Sequence, residues 1–194
     1  MKTLENYCPN QNIYILLFDI DGTLVRLDGA GLRALDKAFN DVFGLSGFAF
    51  NIDFYGKTDI CIYEEILLAA GKSIDLLDEK KLKLLMTKYL EYLEIEINKI
   101  TNNPVITGVF ECLNFYSKKS NVFLGLLTGN IEKGAALKIG KFGLLEYFKF
   151  GGYGSDSKIR KDLVEIALTR FYQTTNLINS IQIPKRNIFV IGDT

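Results

Sequence analysis

The chain has 194 residues, 48% of them hydrophobic and 24% charged, which suits one domain or a core domain carrying a modest insertion. Its 23 Lys and Arg balance 23 Asp and Glu, so no net field draws it to nucleic acid or to an anionic membrane. Histidine is absent, which excludes histidine-based triads and histidine-ligated metals, and Cys8, Cys61 and Cys112 are too scattered for a disulfide framework or a zinc site.

Residues 13–18 (IYILLF) form a short, continuous apolar run, the pattern of a strand buried on both faces. The run stops at Asp19-Ile20-Asp21-Gly22-Thr23. Residues 26–101 then read as helix, loop, helix and helix, with helical spacing at Leu32, Leu35, Phe39 and Val42, next at Ile66, Leu67 and Ala70, then at Leu82, Leu85, Met86, Tyr89 and Leu93. Lys80, Lys81 and Lys83 alternate with leucines there and read as a solvated helix face. Thr101-Asn102-Asn103-Pro104 reads as a hinge out of this helical insertion.

Beyond the hinge, a helix is predicted over 105–118 and a buried strand over 122–127, ending in Thr128-Gly129-Asn130. Further helices are predicted over 131–142 and 157–172, with a short strand at 148–150 between them, followed by GGYGSDS. A last buried strand, 188–191, ends in Gly192-Asp193-Thr194. Strands alternating with helices predict an α/β fold, a doubly wound parallel sheet with helices on both sides. Its core is expected to comprise 1–25 and 102–194, interrupted by an all-helical domain at 26–101. No charged segment followed by an apolar stretch opens the chain, and no apolar run reaches membrane-spanning length, so a cytoplasmic protein is expected.

Ligands of such sheets bind beyond the carboxyl ends of the strands, and three strand ends here are polar and glycine-containing. Asp19 and Asp21, two apart on an extended segment, point the same way. Their charges repel unless a cation lies between them or one carboxyl holds a proton. A hard cation such as Mg²⁺ takes oxygen ligands and pairs with phosphate. One carboxylate can then attack phosphorus while the other shuttles a proton. A surface turn is the plainer alternative; a calcium loop is excluded because Leu24 and Val25 follow at once.

Thr128 and the backbone N–H groups after it can cradle a phosphate oxygen, although alone they amount to a helix cap. Asp193 supplies a third carboxylate. Arg160 or Lys161 supplies a positive charge for a transferring phosphoryl group, or decorates a solvated helix. Gly56-Lys57-Thr58 and Gly71-Lys72-Ser73 are not phosphate-binding P-loops, since Asn51 and Ile66 stand where that motif needs glycine.

Taken together, DIDGTL (Asp19 to Leu24), LLTGN (Leu126 to Asn130), the basic residue after GGYGSDS and VIGDT (Val190 to Thr194) resemble the haloacid dehalogenase-like superfamily. The resemblance implies a Rossmann-like core with a helical cap, and a Mg²⁺-dependent phosphatase acting on a small phosphorylated metabolite. Asp19 would be the nucleophile that becomes aspartyl-phosphate and Asp21 the general acid and base. Thr128 would hold a phosphoryl oxygen, and Arg160, with Lys161 as second choice, would fill the basic position. Asp193 would bind the metal with the Asp19 carboxylate and the Asp21 backbone carbonyl. Gly22, Gly129 and Asn130 would lie against the substrate. Gly56-Lys57-Thr58-Asp59 resembles the loop through which phosphoglycolate-phosphatase-like members contact substrate, making Lys57 a candidate grip on a distal anion; Arg26 and Arg33 are further cations of the helical insertion that could contact one.

The chain departs from the family in two places. Arg160-Lys161 stands where lysine and proline are usual, and the sequence stops at Thr194, where a further Asp, strand and helix are usual, so an edge strand and an outer support of the metal site are expected to be missing. A sugar-phosphate mutase and a non-catalytic binding module of the same fold are the alternative readings. Asp21 argues against a dehalogenase, which needs no proton donor there.

Overall fold

A computed structural model describes residues 12–175 and 182–193; Cys8 and Thr194 lie outside the described residues. Four strands, β1 (Tyr14–Phe18), β2 (Val122–Thr128), β3 (Gly151–Tyr153) and β4 (Ile188–Ile191), pair in the order β3-β2-β1-β4. Every pairing is parallel, with Leu16 opposite Leu124, Leu17 opposite Val190 and Leu126 opposite Gly151. Strand alternation divides the apolar runs between two faces. Ile15, Leu17, Phe123 and Leu127 pack on Leu163, Ala167 and Phe171 of α6 (Asp162–Thr175). Leu16, Phe18, Leu124 and Leu126 join the opposite cluster, with Leu113 of α4 (Val109–Ser117) and Ala135 and Ile139 of α5 (Glu132–Gly140).

From central β1 the chain moves outward through β2 and β3, then returns to pair β4 on the other side of β1. That reversal opens a crevice at the carboxyl ends of β1 and β4, where Asp19 and Asp193 follow their strands.

Between β1 and α4 the described residues form no strand, and their long elements are the helices α1 (Ala30–Phe43), α2 (Asp59–Ala69) and α3 (Glu79–Asn98). The entering and leaving segments run antiparallel, the Arg26 N–H donating to the Pro104 carbonyl (2.9 Å) and the Ile106 N–H to that of Leu24 (3.0 Å). Helix α1 buries Ala34, Leu35, Ala38 and Phe39 on one stripe, and Asp78 caps α3 by accepting the Lys81 N–H at 2.7 Å. Glu96 of α3, 2% exposed, ties the two helices by ion pairs to Arg33 (2.8 Å) and Lys37 (2.6 Å), with Lys99 at 2.6 Å. Hydrogen bonds from these three cations pull its carboxyl down to about 2. The covering atoms are the stems of long, half-exposed side chains, so water still screens the cluster.

A depressed carboxyl stabilises the fold above its unfolded pKa, and that contribution is lost as pH falls toward the folded one. Glu96→Gln is therefore expected to cost on the order of 1–2 kcal/mol at neutral pH. Urea unfolding of both proteins checks this: the gap should shrink by about pH 3, and a pH-independent gap would contradict it.

Three expectations are corrected. The third strand lies at Gly151–Tyr153, not at 148–150. Phe148 and Phe150 instead bury their rings in opposite clusters, Phe150 filling the space that a side chain at Gly125 would need. The last long helix begins at Asp162 rather than 157, because Ser157 makes a local turn by accepting the Ile159 N–H (3.1 Å). Strand β4 is not buried on both faces: among the described residues it pairs with β1 alone, and Phe189 and Val190 are exposed. No described helix is long and apolar enough to cross a membrane.

Candidate active site

Two turns bring the polar strand ends together. After Asp19 the chain folds back on itself, the Leu24 and Val25 N–H groups donating to the Ile20 carbonyl (2.9 and 3.1 Å). Gly22 holds φ +78° in this turn, and any side chain there would overlap the Asp193 carboxylate. From Thr128, the last residue of β2, Gly129 and Asn130 lead into α5, and the Asn130 carbonyl accepts the Gly154 N–H at 2.8 Å. The GGYGSDS segment is held by Asp156, which accepts the Tyr153 N–H (2.9 Å) and pairs with Arg170 through both oxygens (2.5 and 2.8 Å).

That loop delivers Arg160 to Asp19. Asp19 is 7% exposed; its Oδ1 accepts the Ile20 N–H at 2.8 Å and its Oδ2 pairs with the Arg160 guanidinium. Lys161, one residue on, is exposed and does not line the cleft. Arg160 is thus the cation that the fold brings to the carboxylate.

Asp21 faces the cleft with its side chain 51% exposed, yet donors surround it on the protein side. Lys138 Nζ lies 2.7 and 2.9 Å from its two oxygens, and Asn130 Nδ2 donates to Oδ2 at 2.7 Å. Enclosure by the cleft walls raises the Asp21 pKa, but the Lys138 charge and the hydrogen bonds from Lys138 and Asn130 outweigh it, and the carboxyl sits below its ordinary value. Asn130 Nδ2 also donates to Thr128 Oγ1 at 2.8 Å, joining the second strand end to the first.

Asp19, Asp21, Gly22, Thr128, Gly129, Asn130, Arg160 and Asp193 all line one cleft of about 620 Å³. Helices α1–α3 supply its other wall, including Leu32, Leu35 and Tyr89, with Phe54, Tyr55 and Lys57 from the loop before α2. Lys57 reaches the lining, but its ammonium is paired with Glu65 at 2.7 Å. Arg26, exposed, is among the residues lining the cleft, whereas Arg33 is tied to Glu96.

Among the described residues no three Asp, Glu, Cys or His side chains gather as a metal cluster. The Asp19 and Asp193 carboxylates, which both line the cleft beyond the ends of β1 and β4, are nevertheless oxygen donors of the kind that a hard cation keeping several waters takes.

Sequence reading missed two groups here. Lys138, 5% exposed, carried a readable signal, since it falls on the same α5 stripe as the buried Gly134, Ala135 and Ile139. Asp59, in the GKTD loop, clasps the second strand end: its N–H donates to the Gly129 carbonyl (2.8 Å) and its Oδ2 accepts the Ile131 N–H (2.8 Å) at the start of α5. Burial pushes the Asp59 carboxyl up to about 6, against the lowering effects of Lys138 and the Ile131 N–H.

A raised carboxyl gives stability that is fully present below the unfolded pKa and lost as pH rises through the folded one. The wild type should therefore lose on the order of 2 kcal/mol relative to Asp59→Asn between about pH 4 and pH 7. Denaturant midpoints of the two proteins across that range decide it, and a constant difference would contradict it.

The family model for haloacid dehalogenase-like hydrolases matches residues 16–194. Among solved structures, β-phosphoglucomutase from Clostridium difficile is similar over 94% of this chain and 77% of its own, at 22% identity and a TM-score of 0.67. A candidate phosphoglycolate phosphatase from Lactobacillus plantarum aligns over 95% of this chain and 79% of its own, at 16% identity and a TM-score of 0.60. YfnB of Bacillus subtilis, a HAD-type protein solved with magnesium bound, aligns over 95% and 81%, at 20% identity and a TM-score of 0.51. At these identities the likeness establishes the fold alone. A search of curated proteins found no match. With the family model spanning both carboxylate-bearing strand ends and everything between them, the chain belongs to the haloacid dehalogenase-like hydrolases.

Proposed function

We propose that the chain hydrolyses the phosphomonoester of a small phosphorylated metabolite through a covalent aspartyl-phosphate on Asp19. One observation carries this reading: a near-buried carboxylate paired with Arg160 shares a cleft with Thr128 and with a second, cleft-facing carboxylate, Asp21. Arg160 offers the positive charge that a phosphoryl group needs, and Thr128 a hydroxyl for one of its oxygens.

In the first step, Asp21 having taken up a proton as the anionic phosphoryl group entered beside it, an Asp19 oxygen bonds to phosphorus as the ester P–O bond breaks; the bond's electron pair stays on the departing oxygen, which takes that proton from Asp21. In the second, water bonds to phosphorus, gives its proton to Asp21, and the Asp19–phosphorus bond breaks. The products are the alcohol and inorganic phosphate, and Asp19 and Asp21 return to their starting states. Mg²⁺, held by Asp19, Asp193 and the Asp21 carbonyl, would neutralise charge on the phosphoryl oxygens. Gly22, Gly129 and Asn130 lie where the phosphoryl group would sit.

Residues 26–101 act in this reading as a helical cap over a core of 1–25 and 102–194, the antiparallel crossing at Val25 and Val105 serving as its hinge. The unbridged Cys61 and Cys112 suit a cytoplasmic enzyme. Lys57 reaches a second anionic group of the substrate only by leaving Glu65.

Phosphate release from a panel of small phosphomonoesters, with Mg²⁺ and with a chelator, tests the proposal. Mg²⁺-dependent release from at least one ester is expected. Release insensitive to chelation would overturn the metal assignment, and conversion of one sugar phosphate into its isomer without release would move the reading to a mutase.

A further inference from the structure

Lys138 carries out no step in the reaction just described, yet no other cation in the cleft is so completely enclosed by the described residues. It sits inside α5, 5% exposed, and its ammonium has three oxygen partners: both Asp21 oxygens (2.7 and 2.9 Å) and Asn130 Oδ1 (2.6 Å). An ammonium has three donors, so this set saturates it. Asn130 in turn donates to Asp21 and to Thr128, so Lys138, Asp21 and Asn130 form a closed triangle anchored on the second strand end. The ammonium also lies beside the helical segment, in contact range of the start of α1 at Gly31 and close to Tyr89 of α3.

Burying a lysine is costly unless it is paired and fully hydrogen-bonded, and this one is spent on the carboxylate that faces the cleft. Asp21 has a half-exposed side chain on a turn, and among the described residues its other side-chain partner is Asn130, which Lys138 itself holds. A proton shuttle 1 Å out of place loses most of its value.

We infer that Lys138 is the positioning residue for Asp21: gripping both carboxylate oxygens and the Asn130 side chain, it aims Asp21 at the departing ester oxygen. The inference rests on the phosphatase reading. It predicts that loss of Lys138 matters in proportion to how much the leaving group needs a proton. An alkyl ester leaves as an alkoxide and needs one as its P–O bond breaks, whereas acetyl phosphate leaves as a carboxylate and needs none.

The experiment measures the first-turnover release of alcohol from the best alkyl ester of the panel, and of acetate from acetyl phosphate, in wild type, Lys138→Met, Asp21→Asn and the double variant. Lys138→Met should slow alcohol release about 100-fold with KM nearly unchanged, and slow acetate release by less than about 10-fold. In the Asp21→Asn background the same substitution should add almost nothing, since the two residues act as one unit. Equal losses on both substrates, a loss confined to KM, or a full further loss in the Asp21→Asn background would overturn the inference and leave Lys138 a structural residue. If Lys138→Met does not fold, Lys138→Gln takes its place; failure of both to fold also assigns Lys138 to structure. A wild type inactive on every ester would instead sink the phosphatase reading, and the inference with it.

Discussion

Asp19→Asn is expected to lower phosphate release by about 10⁴-fold or more while leaving the fold intact. The substitution is nearly isosteric. Its remaining oxygen can still accept the Ile20 N–H now bound by Oδ1, and Ile20, Leu24 and Val25 around it keep their packing. What disappears is the negative oxygen beside Arg160. An amide oxygen is a poor nucleophile for phosphorus, and its NH₂ faces a guanidinium that can only donate. Thermal or urea unfolding should show a loss of no more than about 1–3 kcal/mol, because the Arg160 side chain, 26% exposed, can turn to water once its partner is gone. A folded Asp19→Asn variant that retained even a tenth of the wild-type rate would exclude Asp19 as the nucleophile.

The second large effect is expected at Gly129. Its carbonyl accepts the Asp59 N–H at 2.8 Å, and a Cβ there would run into the Lys57 carbonyl, which is backbone and cannot rotate away. Gly129→Ala therefore forces apart the GKTD loop and the second strand end, with Thr128 on one side and Asn130 on the other. A displacement near 1 Å at those neighbours is worth about a 100-fold fall in kcat. The same push strains the Ile131 N–H bond to Asp59, so a stability loss of about 1–3 kcal/mol should accompany it. Steady-state kinetics with a urea titration checks both. Unchanged kcat with unchanged stability would mean that the two loops do not need this close approach.

The polar strand ends of the candidate site were legible because they are local. Asp19, Thr128 and Asp193 each follow a short apolar run, and a parallel sheet carries such runs to the same edge whatever lies between them. Helices α1 to α3 were legible from spacing for the same reason. What escaped was decided by tertiary contact. Phe148 and Phe150 look like a strand, but two rings buried in opposite clusters moved the ladder on to glycines with no propensity for it. The place of Lys138 on the buried stripe of α5 was readable, but its partner Asp21 lies 117 positions away. Asp59 was read as part of a substrate loop, and its role as a clasp on the start of α5 depends on where α2 docks. Arg160 could be told from Lys161 only once Asp156 and Arg170 had fixed the loop before it.

The most direct test is to look for the phosphoryl group on the protein. Wild-type enzyme mixed with Mg²⁺ and the best phosphomonoester, stopped within one turnover in acid and digested, should yield the peptide containing Asp19 with the mass of one added phosphoryl group. Borohydride reduction should then mark Asp19 itself. A phosphoryl group on any other residue, or rapid phosphate release with Asp19 never modified, would contradict the account.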